Sequence, residues 1–281
     1  MTSTRTTTWT GSLHQTFRLL PSESRSANLL PFLSSNGKSP DEVLDTLPYD
    51  RARAAARGSK AKRPDAKRYR DGKQVYQTVG LLYEGDDGLV HTTELGVATQ
   101  RWADRITEKN AVILARHAAY ALAACQLRNP SGAGSRFDES MVVFPFQFIW
   151  RAMLQLDGML SSDELNRGIF KVCNEEDLAR VVERIRSARE LDDLSVLGEE
   201  VVTDSRKNDR IIPWMSLASF GWTLFPDKRG ASEGGYYMLS DRTLHIVREA
   251  ARISHKHRDY ASNKEYVEHL SRCAALPQDL R

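Results

Sequence analysis

The turn Glu84-Gly85-Asp86-Asp87-Gly88 constrains this chain more than any other stretch. It places two glycines and three acids between two β-rich pieces, Gln74–Tyr83 and Leu89–Thr93, and that punctuation predicts a hairpin. Helical patterns stand on both sides of it. Upstream, Ser26 caps a candidate helix with Leu29, Leu30, Phe32 and Leu33 on its apolar face, and Asn36-Gly37 ends it. Ser39-Pro40-Asp41-Glu42 opens the next. The serine caps, the proline sits where its missing N–H is not needed, and two carboxylates meet the positive end of the helix dipole. Val43, Leu44 and Leu47 supply the buried side. Downstream, Thr93-Glu94-Leu95-Gly96 leads into a helix through Val97, Trp102 and Ile106.

Short helices followed by a hairpin are the order of a winged helix, a helix-turn-helix variant in which the recognition helix comes just before the wing. Here that place falls in the densest run of positive charge: Arg51, Arg53, Arg57, Lys60, Lys62, Arg63, Lys67, Arg68, Arg70 and Lys73. Only Asp65 and Asp71 oppose them, so the segment carries +8 in a chain of net charge +3, and the rest sums to −5. One dense basic stretch on a mildly acidic body is the footprint of a protein that meets a polyanion. Such residues neutralise phosphates, while a few arginines can read base edges in the major groove. The segment is helix-compatible over Arg51–Arg57 and broken over Gly58–Pro64. Tyr69 and Tyr76 at its end suit either base stacking or a core. The plain alternative for the whole run is a solvated face without a partner.

The second half repeats the plan. Asn110–Leu127 is an Ala-rich linking helix and Asn129–Ser135 a loop. Phe144–Leu156 is an apolar helix opened by Pro145, Ser161-Ser162-Asp163-Glu164 starts another, and Asn174-Glu175-Glu176-Asp177 starts a third. The acidic start of that third helix speaks against its lying on phosphates. Ile212–Leu224 reads as helical or mixed, Phe225–Gly235 as a loop, and Tyr236–Ser240 as a strand entering a helix at Asp241. Lys228 and Arg229 on the wing-like loop would add phosphate contacts; smaller basic clusters stand at Arg206, Lys207 and Arg210 and from Arg252 to Arg258. The expected fold is mainly α with short β-hairpins (α+β), as two winged-helix-like domains joined by a helix. The expected boundaries are a polar tail at 1–14, a first domain at 15–128 with the basic segment and linking helix, a linker at 129–140, a second domain at 141–250 and a helical tail at 251–281.

Several classes drop out. With 41% hydrophobic and 27% charged residues the 281-residue chain is neither disordered nor fibrous. Its longest apolar run, Ala111–Cys125, is broken by Arg116 and His117 and falls short of the ~20 residues of a membrane span. No secretory signal is visible, and Cys125, Cys173 and Cys273 are too scattered for a disulfide framework or zinc cage, so a cytoplasmic location is expected. Phosphate-loop and nucleophile-elbow motifs are absent, and no cofactor is expected. His255 and His257 would diverge on a basic surface helix and hold no metal. Glu84, Asp86 and Asp87 lack the distal ligands of a calcium loop. Trp150, Trp214 and Trp222 read as core, with a base-capturing pocket as the sharper alternative.

Phe144-Pro145-Phe146, Ser161-Ser162-Asp163-Glu164-Leu165 and Gly235-Tyr236-Tyr237-Met238-Leu239-Ser240 give residues 15–250 a resemblance to the recognition half of certain type IIS restriction endonucleases, which use tandem winged-helix modules. The resemblance implies duplex-DNA binding in a restriction or phage-defence setting. Those enzymes also carry a metal-dependent nuclease, and here the chain departs from them. The nearest match to Pro-Asp plus acid-x-Lys is Pro40-Asp41 with Asp71-Gly72-Lys73, at a helix start and in a turn-like Asp-Gly rather than on strands. No catalytic residue is therefore expected. The expected partner is double-stranded DNA, with a separate nuclease or another subunit as a further candidate. The alternatives are a winged-helix protein-interaction subunit and a Mg²⁺-dependent nuclease with an unrecognised site.

Overall fold

Ser39 starts its helix as its sequence announces. In the computed structural model its Oγ accepts the Glu42 N–H, and the Glu42 carboxylate accepts the Ser39 N–H at 2.8 Å, closing a capping box at the head of α1 (Pro40–Thr46). The structure describes residues 7–9, 29–47, 66–103, 108–131, 136–203, 224–226, 236–239 and 241–275, with 211, 214, 215 and 218. A short helix at 29–33 precedes α1. Between the two, the Gly37 N–H donates to Val90 O (2.7 Å) and the Val90 N–H to Lys38 O (2.9 Å).

α1 packs on α2 (Ala66–Thr78), which leads into the hairpin of β1 (Leu82–Glu84) and β2 (Val90–Thr92), antiparallel with Tyr83 opposite His91. The hairpin turn lies where expected. The strand expected over Gln74–Tyr83 does not: α2 runs to Thr78 and only Leu82–Glu84 is extended. Tertiary packing decides this. Tyr69 and Tyr76, two helical turns apart, both meet the Phe32 ring, at 5.9 and 5.0 Å between centroids. Gly72 lies between them, where a Cβ would come within 2.7 Å of that ring. A strand would send Tyr69 and Tyr76 to opposite faces. α3 (Glu94–Ala103) follows β2, and α4 (Glu108–Ala123) follows α3.

α5 (Pro145–Gln155) is buried on nearly every side, through Phe146, Phe148, Ile149, Trp150, Ala152 and Met153. It turns into β3 (Met159–Ser161), and Ser161 caps the turn Ser162–Glu164, which widens into a π-helical turn at Leu165–Ile169. A single 3₁₀ turn at Glu175–Asp177 opens α6 (Leu178–Leu191). β4 (Leu224–Pro226) and β5 (Tyr236–Leu239) complete an antiparallel sheet of order β3-β5-β4. Phe225 and Pro226 thus belong to a strand and not to the expected loop. β4 is an edge strand, where a proline does not break a ladder. α7 (Leu244–Arg252) and α8 (Asn263–Cys273) end the described chain. Residues 253–260 between them are not helical, which corrects the surface helix expected around His255. The fold is mainly helical with two small antiparallel sheets.

One apolar core runs through both halves. The Trp9 indole N–H donates to Val172 O (2.7 Å), and its ring sits among Phe148, Phe170 and Trp214. α8 packs on α3, α4 and β1, burying Tyr266, Val267 and Leu270, while the Leu95 N–H donates to Ser271 Oγ (3.0 Å). Deepest among the described charges is Glu164, 1% exposed. Its carboxylate accepts the Ser161 N–H (2.7 Å) and both Arg189 Nε (2.6 Å) and Nη2 (3.0 Å). Removing one partner of a buried pair strands the other, so Glu164→Ala should destabilise the fold by about 3–5 kcal/mol in denaturant unfolding. Glu164→Gln, which keeps an acceptor for Ser161, should lose less; equal stability of all three proteins would refute this role.

Candidate nucleic-acid interface

α2 stands directly before the hairpin, with one side against Phe32 and the other toward solvent. Tyr69, Val75, Tyr76 and Val79 are buried, so the two tyrosines are core residues. Ala66 and Arg70 are exposed. Lys67 and Arg68 lie on the same helix. Lys73 is engaged: its ammonium lies 2.6 Å from Glu84 Oε2 on β1, which also accepts the Tyr69 hydroxyl (3.0 Å). Burial, followed by the Glu84 charge, pushes the Tyr69 phenol up. Arg51, Arg53, Arg57, Lys60, Lys62 and Arg63, which lead into α2, lie outside the described residues, as do Lys228, Arg229 and Trp222. The Asp71-Gly72-Lys73 trio lies within a helix, and its lysine holds Glu84. Trp150 and Trp214 are core residues.

The hairpin turn closes on itself. Asp87 accepts the Leu89 N–H (3.0 Å) and faces His91 Nε2 (3.0 Å), and the Leu89 N–H, then His91, hold its carboxyl below the usual range. No described cluster of His, Cys, Asp and Glu could hold a metal ion. No described helix is long and apolar enough to cross a membrane.

In the second half most of the described arginines serve the fold. Arg151 pairs with Glu175 (3.1 Å), Arg167 with Glu200 (2.9 Å) and Arg180 with Asp177 (2.5 Å); Arg186 donates to Gln155 O (2.8 Å). Glu175, in the acidic start of the third helix, is directed inward, accepting the Phe144 N–H (2.7 Å) besides Arg151.

After α7 the chain forms a strap over Gln126, whose side-chain amide donates to Arg258 O (2.8 Å) and accepts the Arg258 N–H (3.1 Å). His255 and His257 lie beside the Phe144 ring, at 5.5 and 6.3 Å. In an extended segment residues two apart share a face, which is why they meet one ring. Beside the strap is a cleft of about 220 Å³ lined by Arg128, Pro130, Phe137, Arg258, Asp259 and Tyr260, with the Arg258 guanidinium 4.5 Å from the Tyr260 ring centre.

Buried and half-buried imidazoles underlie this region. His269 is pushed down to about 4 from its ordinary 6.5 by burial, then by Arg258, Arg272 and His255, against a raising Glu265; Cys273 and the Tyr260 ring are its other neighbours. His117, His255 and His257 are also lowered, chiefly by burial. Below the ordinary value of 6.5 the unfolded chain binds more protons at these groups, for His269 down to about 4, so their contribution erodes stability as pH falls. Glu175, raised by burial, works the other way. Denaturant midpoints should fall from pH 7 to pH 4.5, and fall less in His269→Gln; an equal fall in both would refute the assignment to His269.

No protein-family model matches the chain, and no curated protein matches it. A solved structure does. The BpuJ1 endonuclease binding domain, crystallised with pyrene- and phenanthrene-modified DNA, is similar at a TM-score of 0.56 and 12% identity, over 89% of this chain and 91% of that one. The likeness is one of fold, and it takes in most of the length of both chains.

Proposed function

We propose that this protein is a duplex-DNA recognition module of a bacterial restriction or phage-defence system, built from two winged-helix-like units and working in the cytoplasm. The observation that carries the reading is the nearly full-length likeness to an endonuclease binding domain whose structure was solved around DNA. The internal order supports it. In each half a helix, a short extended piece, further helical segments and a β-hairpin or paired strands follow one another. In each, the strand after the intervening segment is the middle one: Val90 of β2 pairs with both Lys38 and Glu84, and β5 lies between β3 and β4. This order supports the winged-helix reading, on which α2 is the helix before the first wing.

On this reading the basic segment entering α2 does the electrostatic work. Arg51 to Arg70 neutralise phosphates, and arginines on the exposed side of α2 reach base edges. Lys228 and Arg229 would assist from the second wing. Lys73, held by Glu84, positions β1 against α2 and is already engaged. A docking role with a protein partner is favoured by one feature, the exposed Leu191 (68%) and Leu194 (39%) at the end of α6.

A labelled random duplex titrated across a salt series with Mg²⁺ present tests the proposal. Binding should weaken steeply with salt and leave the DNA intact. Replacing Arg57, Lys60, Lys62 and Arg63 by alanine should reduce the log–log salt slope by about 3 to 4, at roughly 0.9 for each phosphate that is no longer neutralised. An unchanged slope would remove this segment from the interface. No binding by the wild type at low salt would end the DNA reading and favour docking.

A further inference from the structure

α7 turns Ile246, Val247, Ala250 and Ala251 toward α4 and α5. Its opposite side carries His245, Arg248, Glu249 and Arg252, spaced by three or four residues and all exposed. An arginine in the last turn of a helix can bond the final carbonyls. Here that task is performed from inside the protein. The buried Gln147 amide donates to Ala250 O (2.9 Å) and Ile253 O (2.8 Å), and the Arg151 guanidinium to Ala251 O (2.7 Å) and Ile253 O (3.4 Å). Arg248 and Arg252 are left over. Among the described residues neither has a hydrogen-bond or ion-pair partner.

The strap continues the pattern. His255 and His257 face inward, so Lys256 between them is exposed and, among the described residues, without a partner. The backbone below is fixed by Gln126 at one end and by Gln147 with Arg151 at the other. The nearby acids are largely occupied. Glu249 lies 3.3 Å from Arg116 Nε and accepts the Tyr120 hydroxyl (2.8 Å), and Asp259 pairs with Arg128 (2.6 Å). Asp241 remains exposed at the start of the α7 turn. The result is a line of cations presented by a rigid frame and used by nothing within it.

We propose that Arg248, Arg252 and Lys256 form a second phosphate-tracking surface for duplex DNA, in addition to the Arg51–Lys73 segment. This rests on the DNA-recognition reading and adds a site to it. Arg248 and Arg252 are one turn apart, about 6 Å at 1.5 Å per residue. Four extended residues carry the line at most ~13 Å further to Lys256. The three cations therefore span up to about 20 Å, some six base steps at ~3.4 Å each.

The test uses the full chain in four forms: wild type, Arg248→Gln/Arg252→Gln/Lys256→Gln, Arg248→Lys/Arg252→Lys, and the Arg57/Lys60/Lys62/Arg63 alanine variant. Each is titrated with a random 30-bp duplex from low to moderate salt, and circular dichroism and thermal unfolding check the fold. The α7 variant should fold as the wild type does, bind at least tenfold more weakly at low salt, and show a log–log slope smaller by about 2 to 3. Arg248→Lys/Arg252→Lys, which keeps the charges, should restore most of the binding. If the basic-segment variant loses slope and the α7 variant does not, DNA recognition stands and this surface is overturned. If the wild type does not bind duplex at low salt, both readings fall.

Discussion

Burial of one carboxylate organises the second half of this protein. Glu164 sits where α5, β3 and α6 converge, and a charge there is tolerable only because every direction it faces offers a donor. Arg189 answers it from α6 and also donates to Leu156 O (3.3 Å) and Met159 O (2.9 Å), the carbonyls that end α5 and open β3. Its guanidinium lies 5.8 Å from the Tyr236 ring centre on β5. One ion pair thus fixes the corner between two helices and the start of the sheet, and β3 can pair with β5 only in the register that this corner permits. In the first half no such charge is buried among the described residues; Phe32, filling the space over Gly72 between Tyr69 and Tyr76, plays the equivalent part with apolar contacts.

The two halves reach the same strand order by different routes. In the first, the extended piece is only Gly37 and Lys38, held to Val90 by two backbone hydrogen bonds. In the second, β3 is a full three-residue strand. The join after each sheet also differs. Thr93 accepts the Gly96 N–H (3.1 Å) and donates to Gly80 O (2.7 Å), so α3 begins tight against the loop before β1. Gly96 is required there, because a Cβ would come within 2.2 Å of Leu81 O. α7 has no side-chain cap at its start and is held instead at its end, by Gln147 and Arg151 from α5.

What could be read from the sequence was whatever is encoded locally. The capping boxes at Ser39 and Ser161, the Gly-Asp turn of the hairpin, and the apolar run of α5 each carry their signal within a few residues, and each lies where its residues put it. The misreadings share one cause. Gln74–Thr78 alternates well enough to pass for a strand, and only the distant Phe32 ring selects the helix. β4 is three residues ending in proline, and its pairing with β5 is non-local. The strap at 253–260 looks basic and helix-compatible, yet its carbonyls are claimed by side chains more than a hundred residues away. Of the candidate interface, the sequence offered the run of cations before the hairpin, but neither the helix over Ala66–Thr78 nor the commitment of Lys73 to Glu84, since ion pairing across an eleven-residue gap depends on the helix-to-strand turn between them.

The charge pattern acquires meaning only after this pairing. A net charge of +3 says little, and a simple count of arginines overstates how many cations are available. Arg151, Arg167 and Arg189 hold carboxylates or carbonyls on partly buried sites, where losing the partner would leave a costly unpaired charge. Such residues are framework. An exposed cation that bonds nothing contributes almost nothing to the fold, and a row of them repels itself. Arg248, Arg252 and Lys256 are of this second kind, and they stand on a segment whose own helix end is capped from within by Gln147 and Arg151. The internal capping is the informative part, because it relieves the outer arginines of the one structural task that their positions would otherwise give them.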